Sequence, residues 1–166
     1  RIMGLMKPRV YLETTVISYL TARPSRDLRT AAHQHATQEW WRERRSEFNL
    51  YASQLVFEEA GQGDKAAALE RLQILADVTL LAVTEEALTL AETIIGRGVM
   101  PAQAAVDAAH IAVATANAME YLLTWNLKHI ANAAVRGRVE ALCRHEGYEP
   151  PVICTPEELL EDANDG

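Results

Sequence analysis

The sequence has only two cysteines, Cys143 and Cys154, set far apart and outside any paired spacing. A disulfide-built scaffold is thereby excluded, and reduced thiols of a cytoplasmic protein are expected. No apolar run approaches the roughly 18 residues that would cross a bilayer, and no signal-peptide pattern opens the chain, so no membrane partner is expected. The sequence contains neither GxGxxG nor a P-loop, which argues against a nucleotide cofactor. Its five histidines (His33, His35, His110, His129, His145) are not at zinc-binding spacing. None has a Ser or Cys partner that reads as a nucleophile elbow. No internal repeat, linker or low-complexity segment is present.

What remains is the composition of an ordinary globular protein: 166 residues, 49% apolar and 23% charged. That length suffices for one domain with a substantial core, expected over residues 9–166. Residues 1–8 are expected to be an N-terminal extension or a non-native remnant. The net charge of −7 is local in origin. From Glu146 onward stand Glu146, Glu149, Glu157, Glu158, Glu161, Asp162 and Asp165, with no Lys or Arg. The preceding chain is neutral. Arg23 to Arg45 holds six arginines against three acids, and Lys128 to Arg144 holds four basic residues against one. Such patches can hold phosphates, and solvated helix faces account for them equally well.

Short β-rich runs alternate with helical patterns. Strands are expected at Arg9–Glu13, Asn49–Ser53, Val78–Val83, Tyr121–Thr124 and Val152–Cys154. Between them, Thr14-Thr15 can cap a helix to about Thr21, and a long helix runs from about Leu28 to Ser46 with the Trp40-Trp41 pair, read as core or dimer packing. Ser53 caps a helix through Glu59, Asp64 starts one to about Leu75, and Thr84 caps one ending at Gly96 and Gly98. Pro101 opens a helix to about Ala118. Trp125 to Ile130 leads into a helix through Ala141, and Thr155-Pro156-Glu157-Glu158 caps an acidic terminal helix. Strands alternating with helices predict an α/β protein, a three-layer α/β/α sandwich on a parallel sheet. Ligand groups in such sheets gather at the carboxyl ends of the strands.

Four oxygen-bearing side chains carry the chemistry: Glu13, Glu59, Asp107 and Asn126. An ionised carboxylate among apolar neighbours needs a partner to replace its lost hydration, and a hard divalent cation is a common one. Asp107 lies in a helix, Ala102 to Ala118, that reads as apolar nearly all round and therefore buried. Gln103, Asp107 and His110 form one polar stripe on it. A buried Asp satisfied by a neighbouring donor fits the same pattern. Glu13 ends the first strand, where it could also cap the next helix. Glu58 and Glu59 are about 100° apart on a helix, so one of them faces the site. Asn126 follows the fourth strand by two residues, a position also typical of a turn or cap. His110 and His129 read as satisfied core or surface histidines.

The segments Val10-Tyr-Leu-Glu-Thr-Thr-Val-Ile-Ser-Tyr-Leu20, Ser53-Gln-Leu-Val-Phe-Glu-Glu59, Asp107-Ala-Ala-His-Ile-Ala112 and Leu122-Leu-Thr-Trp-Asn126, in this order, resemble a PIN-domain protein, similar to VapC-type toxins. The resemblance spans Arg9 to Leu160. It implies an acidic cluster that binds Mg²⁺ or Mn²⁺ and cuts RNA, with an antitoxin protein and a second copy of the chain as candidate partners. Glu13 then matches the first-strand acid, usually Asp. Glu59 matches the acid six residues after Ser53, Asp107 the acid opening the central helix, and Asn126 the usual Asp of a Thr-x-Asp segment. Trp125 to Asn132 is similar to a subset of the family reading Trp-Asn-x-Lys-His-Ile-Ala-Asn. The resemblance thus implies a metal-dependent endoribonuclease with Lys128, Arg29 or Arg136 offsetting the excess negative charge. The alternative is a catalytically silent PIN-like binding or regulatory module, motivated by Glu at 13 and Asn at 126. A phosphatase with a strand-end Asp nucleophile fits poorly, because Glu13-Thr14-Thr15 supplies one acid where that pattern has two.

Overall fold

The computed structural model describes residues 6–161. Five strands form one all-parallel sheet: β1 (Arg9–Leu12), β2 (Asn49–Ser53), β3 (Thr79–Leu81), β4 (Tyr121–Leu123) and β5 (Val152–Cys154). Their spatial order is β3-β2-β1-β4-β5. β1 is the centre, in register with β2 (Tyr11 beside Tyr51) and with β4 (Tyr11 beside Leu122). Val10, Tyr11 and Leu12 are all buried, as a strand covered on both faces requires. The chain works outward from β1 to β3 on one side, then returns to build β4 and β5 on the other. The direction reverses between β1 and β4, and the crevice at such a reversal is where open parallel sheets bind ligands.

Among the described residues seven α-helices complete the layers: α1 (Thr14–Thr21), α2 (Leu28–Glu43), α3 (Gln54–Ala60), α4 (Lys65–Leu75), α5 (Glu85–Gly96), α6 (Ala105–Ala116) and α7 (Ala133–His145). Helices α1 to α4 pack among themselves, while α5 packs on α6 and α7. The core includes Trp40, Leu75, Ile94, Met100, Ile111 and Ile130. This is the three-layer α/β/α arrangement expected.

Local chemistry sets several boundaries differently from the sequence reading. Helix α1 is capped by Glu13, whose side chain accepts the Thr15 N–H, so β1 stops at Leu12 and neither threonine is the cap. Asp64 and Thr84 cap α4 and α5 as expected, accepting from Ala67 and Ala87. Ser53 occupies the N-cap position of α3 without capping it, because its hydroxyl is bonded to Tyr11 instead. The segment after Pro101 is a 3-10 turn, Ala102–Ala104, and α6 begins only at Ala105. Helix α7 starts later than its lead-in suggests, at Ala133, with Asn132 as its cap. The acidic terminal helix is a 3-10 turn, Pro156–Leu159, carrying the capping box between Thr155 and Glu158. Residues 1–5 of the expected extension and residues 162–166 of the acidic tail lie outside the described residues. Cys143 and Cys154 are buried free thiols, and burial pushes Cys154 up to about 12.

Candidate metal centre

All four predicted residues come from the carboxyl edge of the sheet or from the helices that follow it. Glu13 stands where β1 meets α1, and its backbone N–H donates to Leu123 O at 3.0 Å across the β1–β4 crevice. Its side chain is only 3% exposed. Oε1 accepts from the Thr15 N–H (3.2 Å), the Thr15 hydroxyl and the Thr124 hydroxyl (2.7 Å). Burial raises this carboxyl above its ordinary value, against the opposing pull of His110 and of these donors. The structure thus buries a carboxylate where its charge is disfavoured unless a cation joins it.

Glu59 lies on α3, facing the same edge, while Glu58 is exposed. Its Oε1 accepts from Thr14 Oγ1 (2.8 Å) and from His110 Nε2 (2.5 Å). Partial burial pushes its carboxyl up. The hydrogen bond from His110, the positive charge of that ring when protonated, and the Thr14 hydroxyl outweigh this and hold it below the ordinary range. Behind His110, its Nδ1 pairs with Tyr11 Oη at 2.7 Å, and Tyr11 Oη pairs with Ser53 Oγ at 2.8 Å. Burial raises the Tyr11 phenol well above its usual value, with Ser53 opposing and the charges of Glu13 and Glu59 adding to the rise. Tyr11 therefore keeps its proton.

Asp107 sits in the first turn of α6. The expectation of a helix apolar on every side holds only from Ala108 onward: Ala105 and Val106 are exposed, and the Asp107 side chain is 21% exposed. The proposed polar stripe is broken as well, since Gln103 belongs to the 3-10 turn and is exposed. Asp107 Oδ2 pairs with His129 Nδ1 at 2.9 Å. His129 is fixed in turn by its backbone N–H, which donates to Asn126 Oδ1 at 3.0 Å. Asn126 is anchored by its own N–H on Thr124 Oγ1 at 2.9 Å. Thr124 is buried and joins the two halves, donating to Glu13 and accepting from Asn126.

Glu13 and Glu59 are held by Thr14, Thr15, Thr124 and His110, and Asp107 and Asn126 by His129 and Thr124. Among the described residues no group of three or more His, Cys, Asp or Glu side chains is placed to hold a metal ion. Mg²⁺ does not require so many. It commonly takes one or two carboxylates, keeps several waters and completes its shell with substrate phosphate. The donor set is entirely hard oxygen, and each carboxylate takes its hydrogen bonds on one oxygen only: Oε1 of Glu13, Oε1 of Glu59, Oδ2 of Asp107. These residues fit a hard divalent cation. A cavity of about 320 Å³ bounded by Glu85, Glu86 and Tyr148 contains none of them.

The histidines and threonines are what the sequence reading missed. His110 is fully buried and His129 half-buried, and each is hydrogen-bonded to a site carboxylate. Spacing could have indicated His129, three residues beyond Asn126, whereas the partner of His110 is Glu59, 51 residues away, which no spacing announces. Of the basic candidates, Arg136 is tied by Nη1 to Ile153 O at 3.1 Å, at β5, while Lys128 and Arg29 are exposed. Trp125 is buried, stacked on His33 at 4.0 Å and bonded through Nε1 to Thr37.

No family model matches the chain, and no curated protein matches it. Solved structures do. The VapC20 toxin of Mycobacterium tuberculosis, described as cleaving the sarcin-ricin loop, superposes with a TM-score of 0.56 at 15% identity, over 86% of this chain and 99% of that one. The VapBC2 complex of Rickettsia felis, bound to a DNA fragment from its promoter, gives 0.53 at 13% identity, over 89% and 98%. The fold is similar to that of VapC20 and of a chain of the VapBC2 complex. At these identities the likeness concerns the path of the chain and leaves the chemistry to the residues themselves.

Proposed function

We propose that this chain is a divalent-metal-dependent endoribonuclease and the toxin of a toxin–antitoxin pair. The observation that carries the reading is the buried Thr124 hydroxyl, which donates to the Glu13 carboxylate and accepts the backbone N–H of Asn126 across the β1–β4 crevice, while His110 holds Glu59 and His129 holds Asp107. Glu13 and Asp107 would hold Mg²⁺ or Mn²⁺, and Glu59 and Asn126 would ligate it or orient its waters. When bound, the ion lowers the pKa of a water and neutralises the scissile phosphate. The chain supplies the rest. Thr15 and Thr124 fix the Glu13 carboxylate, Thr14 and His110 fix Glu59, and His129 fixes Asp107. Lys128, Arg29 and Arg136 are candidates to offset the remaining negative charge and receive RNA. An antitoxin protein and a second copy of the chain are proposed partners, the first by analogy with the VapBC2 complex.

One observation favours the second reading, a silent PIN-like module. Asn126 Oδ1 already accepts the His129 N–H, as a turn cap does, and Asn brings no charge. Yet an amide oxygen accepts two bonds, so the cap leaves it able to ligate. The deciding test is cleavage of a pool of structured and single-stranded RNAs with Mn²⁺, Mg²⁺ or EDTA, wild type beside Asp107→Asn. The nuclease reading expects metal-dependent cutting, abolished by EDTA and by the substitution. Undiminished cutting by the variant would remove Asp107 from the site.

A further inference from the structure

We infer that Ser53, Tyr11 and His110 form a directed hydrogen-bond chain that positions Glu59 for the metal centre, with His110 carrying its proton on Nε2. This rests on the metal-centre reading above and adds three positioning residues to it.

The chain begins deep in the sheet. Ser53 ends β2, Tyr11 lies on β1 next to it, and His110 reaches down from α6; all three are buried, His110 fully. Their contacts are consecutive: Ser53 Oγ to Tyr11 Oη at 2.8 Å, Tyr11 Oη to His110 Nδ1 at 2.7 Å, His110 Nε2 to Glu59 Oε1 at 2.5 Å. Only the last link reaches a group with solvent access, the Glu59 side chain, which is 36% exposed.

Chemistry gives the chain its direction. A carboxylate can only accept, so Nε2 donates. A neutral imidazole then has Nδ1 as its acceptor, and the Tyr11 hydroxyl donates to it. That hydroxyl in turn accepts from Ser53. Every donor points toward Glu59, and each group satisfies the next. The sequence pattern agrees with this use of Ser53. It stands at the N-cap of α3 yet gives no bond to that helix, because the hydroxyl is committed to Tyr11. Thr14 adds a second donor to the same Glu59 oxygen, so Oε1 is held by two hydrogen bonds.

Hydrogen bonds behind metal ligands commonly carry about 10–100-fold in metal affinity. The test uses full-length protein, with two substitutions of opposite chemistry at one position. His110→Gln keeps a donor for Glu59 and an acceptor for Tyr11, whereas His110→Met fills similar space with neither. Mn²⁺ binding should weaken about tenfold in His110→Met and recover most of that loss in His110→Gln, with Tyr11→Phe intermediate. Nitrogen NMR of the metal-free wild type should find Nε2 protonated and Nδ1 bare, independently of any activity. Equal Mn²⁺ affinity in the Met and Gln variants, or a proton on Nδ1, would overturn the inference and leave the metal centre standing. A wild type that binds no Mn²⁺ would overturn both.

Discussion

The inner and outer halves of the candidate site differ in what holds them. Glu13 and Glu59 are secured by the core: the first is buried at the end of the central strand, and the second is bonded to a histidine with no exposure that is itself backed by Tyr11 and Ser53. Asp107 and Asn126 are secured at the rim. One lies in the first turn of α6, which no side chain caps, and the other in the turn after β4, and the His129 that links them is 24% exposed. The difference teaches where rigidity comes from. A carboxylate at the end of a central parallel strand inherits the geometry of the sheet, whereas one on a helix terminus depends on a few side-chain bonds. Substitutions in the inner half should therefore change stability and chemistry together, and those in the outer half chemistry with little cost to the fold.

The sharpest contrast is between the two histidines. His110→Ala removes a buried ring and takes one hydrogen-bond partner each from Tyr11 and Glu59, so it should cost about 2–5 kcal/mol by denaturant unfolding. His129→Ala should cost less, about 1 kcal/mol, because its ring is 24% exposed and water can take over part of its bond to Asp107. Similar losses would erase the distinction. Thr124→Val keeps the shape of the hinge between the halves but removes a donor to Glu13 and an acceptor for Asn126. A loss of about 1–3 kcal/mol is expected, read as several degrees of Tm.

Glu13→Gln should act in the other direction. Burial raises the Glu13 carboxyl, so the folded chain binds its proton more tightly than the unfolded one. The stability tied to that proton is complete below the ordinary value of 4.5 and is lost as pH rises through the folded value. Without metal, the Gln variant should melt a few degrees above wild type at neutral pH, and the gain should vanish below about pH 4.5. A gain that grew on acidification would contradict it. Glu59 has the opposite sign: its lowered carboxyl contributes stability above the ordinary value, lost as pH falls through the folded one. The smallest effect belongs to exposed Glu58, where Gln should change unfolding by no more than about 0.5 kcal/mol and leave RNA cutting intact.

The sequence is most legible where local rules decide. The five strands and the caps at Asp64 and Thr84 follow from short β-rich runs and capping chemistry, and the structure bears them out. It is least legible where partners are distant in the chain. Nothing near His110 announces Tyr11, which is 99 residues away, and nothing near Thr124 announces Glu13, at 111. Such pairs exist only once the sheet has set its register. The outer face of α6 was misread for a related reason: alanine counts as apolar in a pattern, yet a first turn of small residues can lie in water without cost.

The most direct test of the central claim, that both halves hold one ion, is calorimetric titration of Mn²⁺ into wild type, Glu13→Gln and Asp107→Asn. The account predicts saturable binding that weakens at least about tenfold in each variant, from whichever half the carboxylate is lost. Binding that is unchanged in either variant would contradict it, because the halves would then not share an ion.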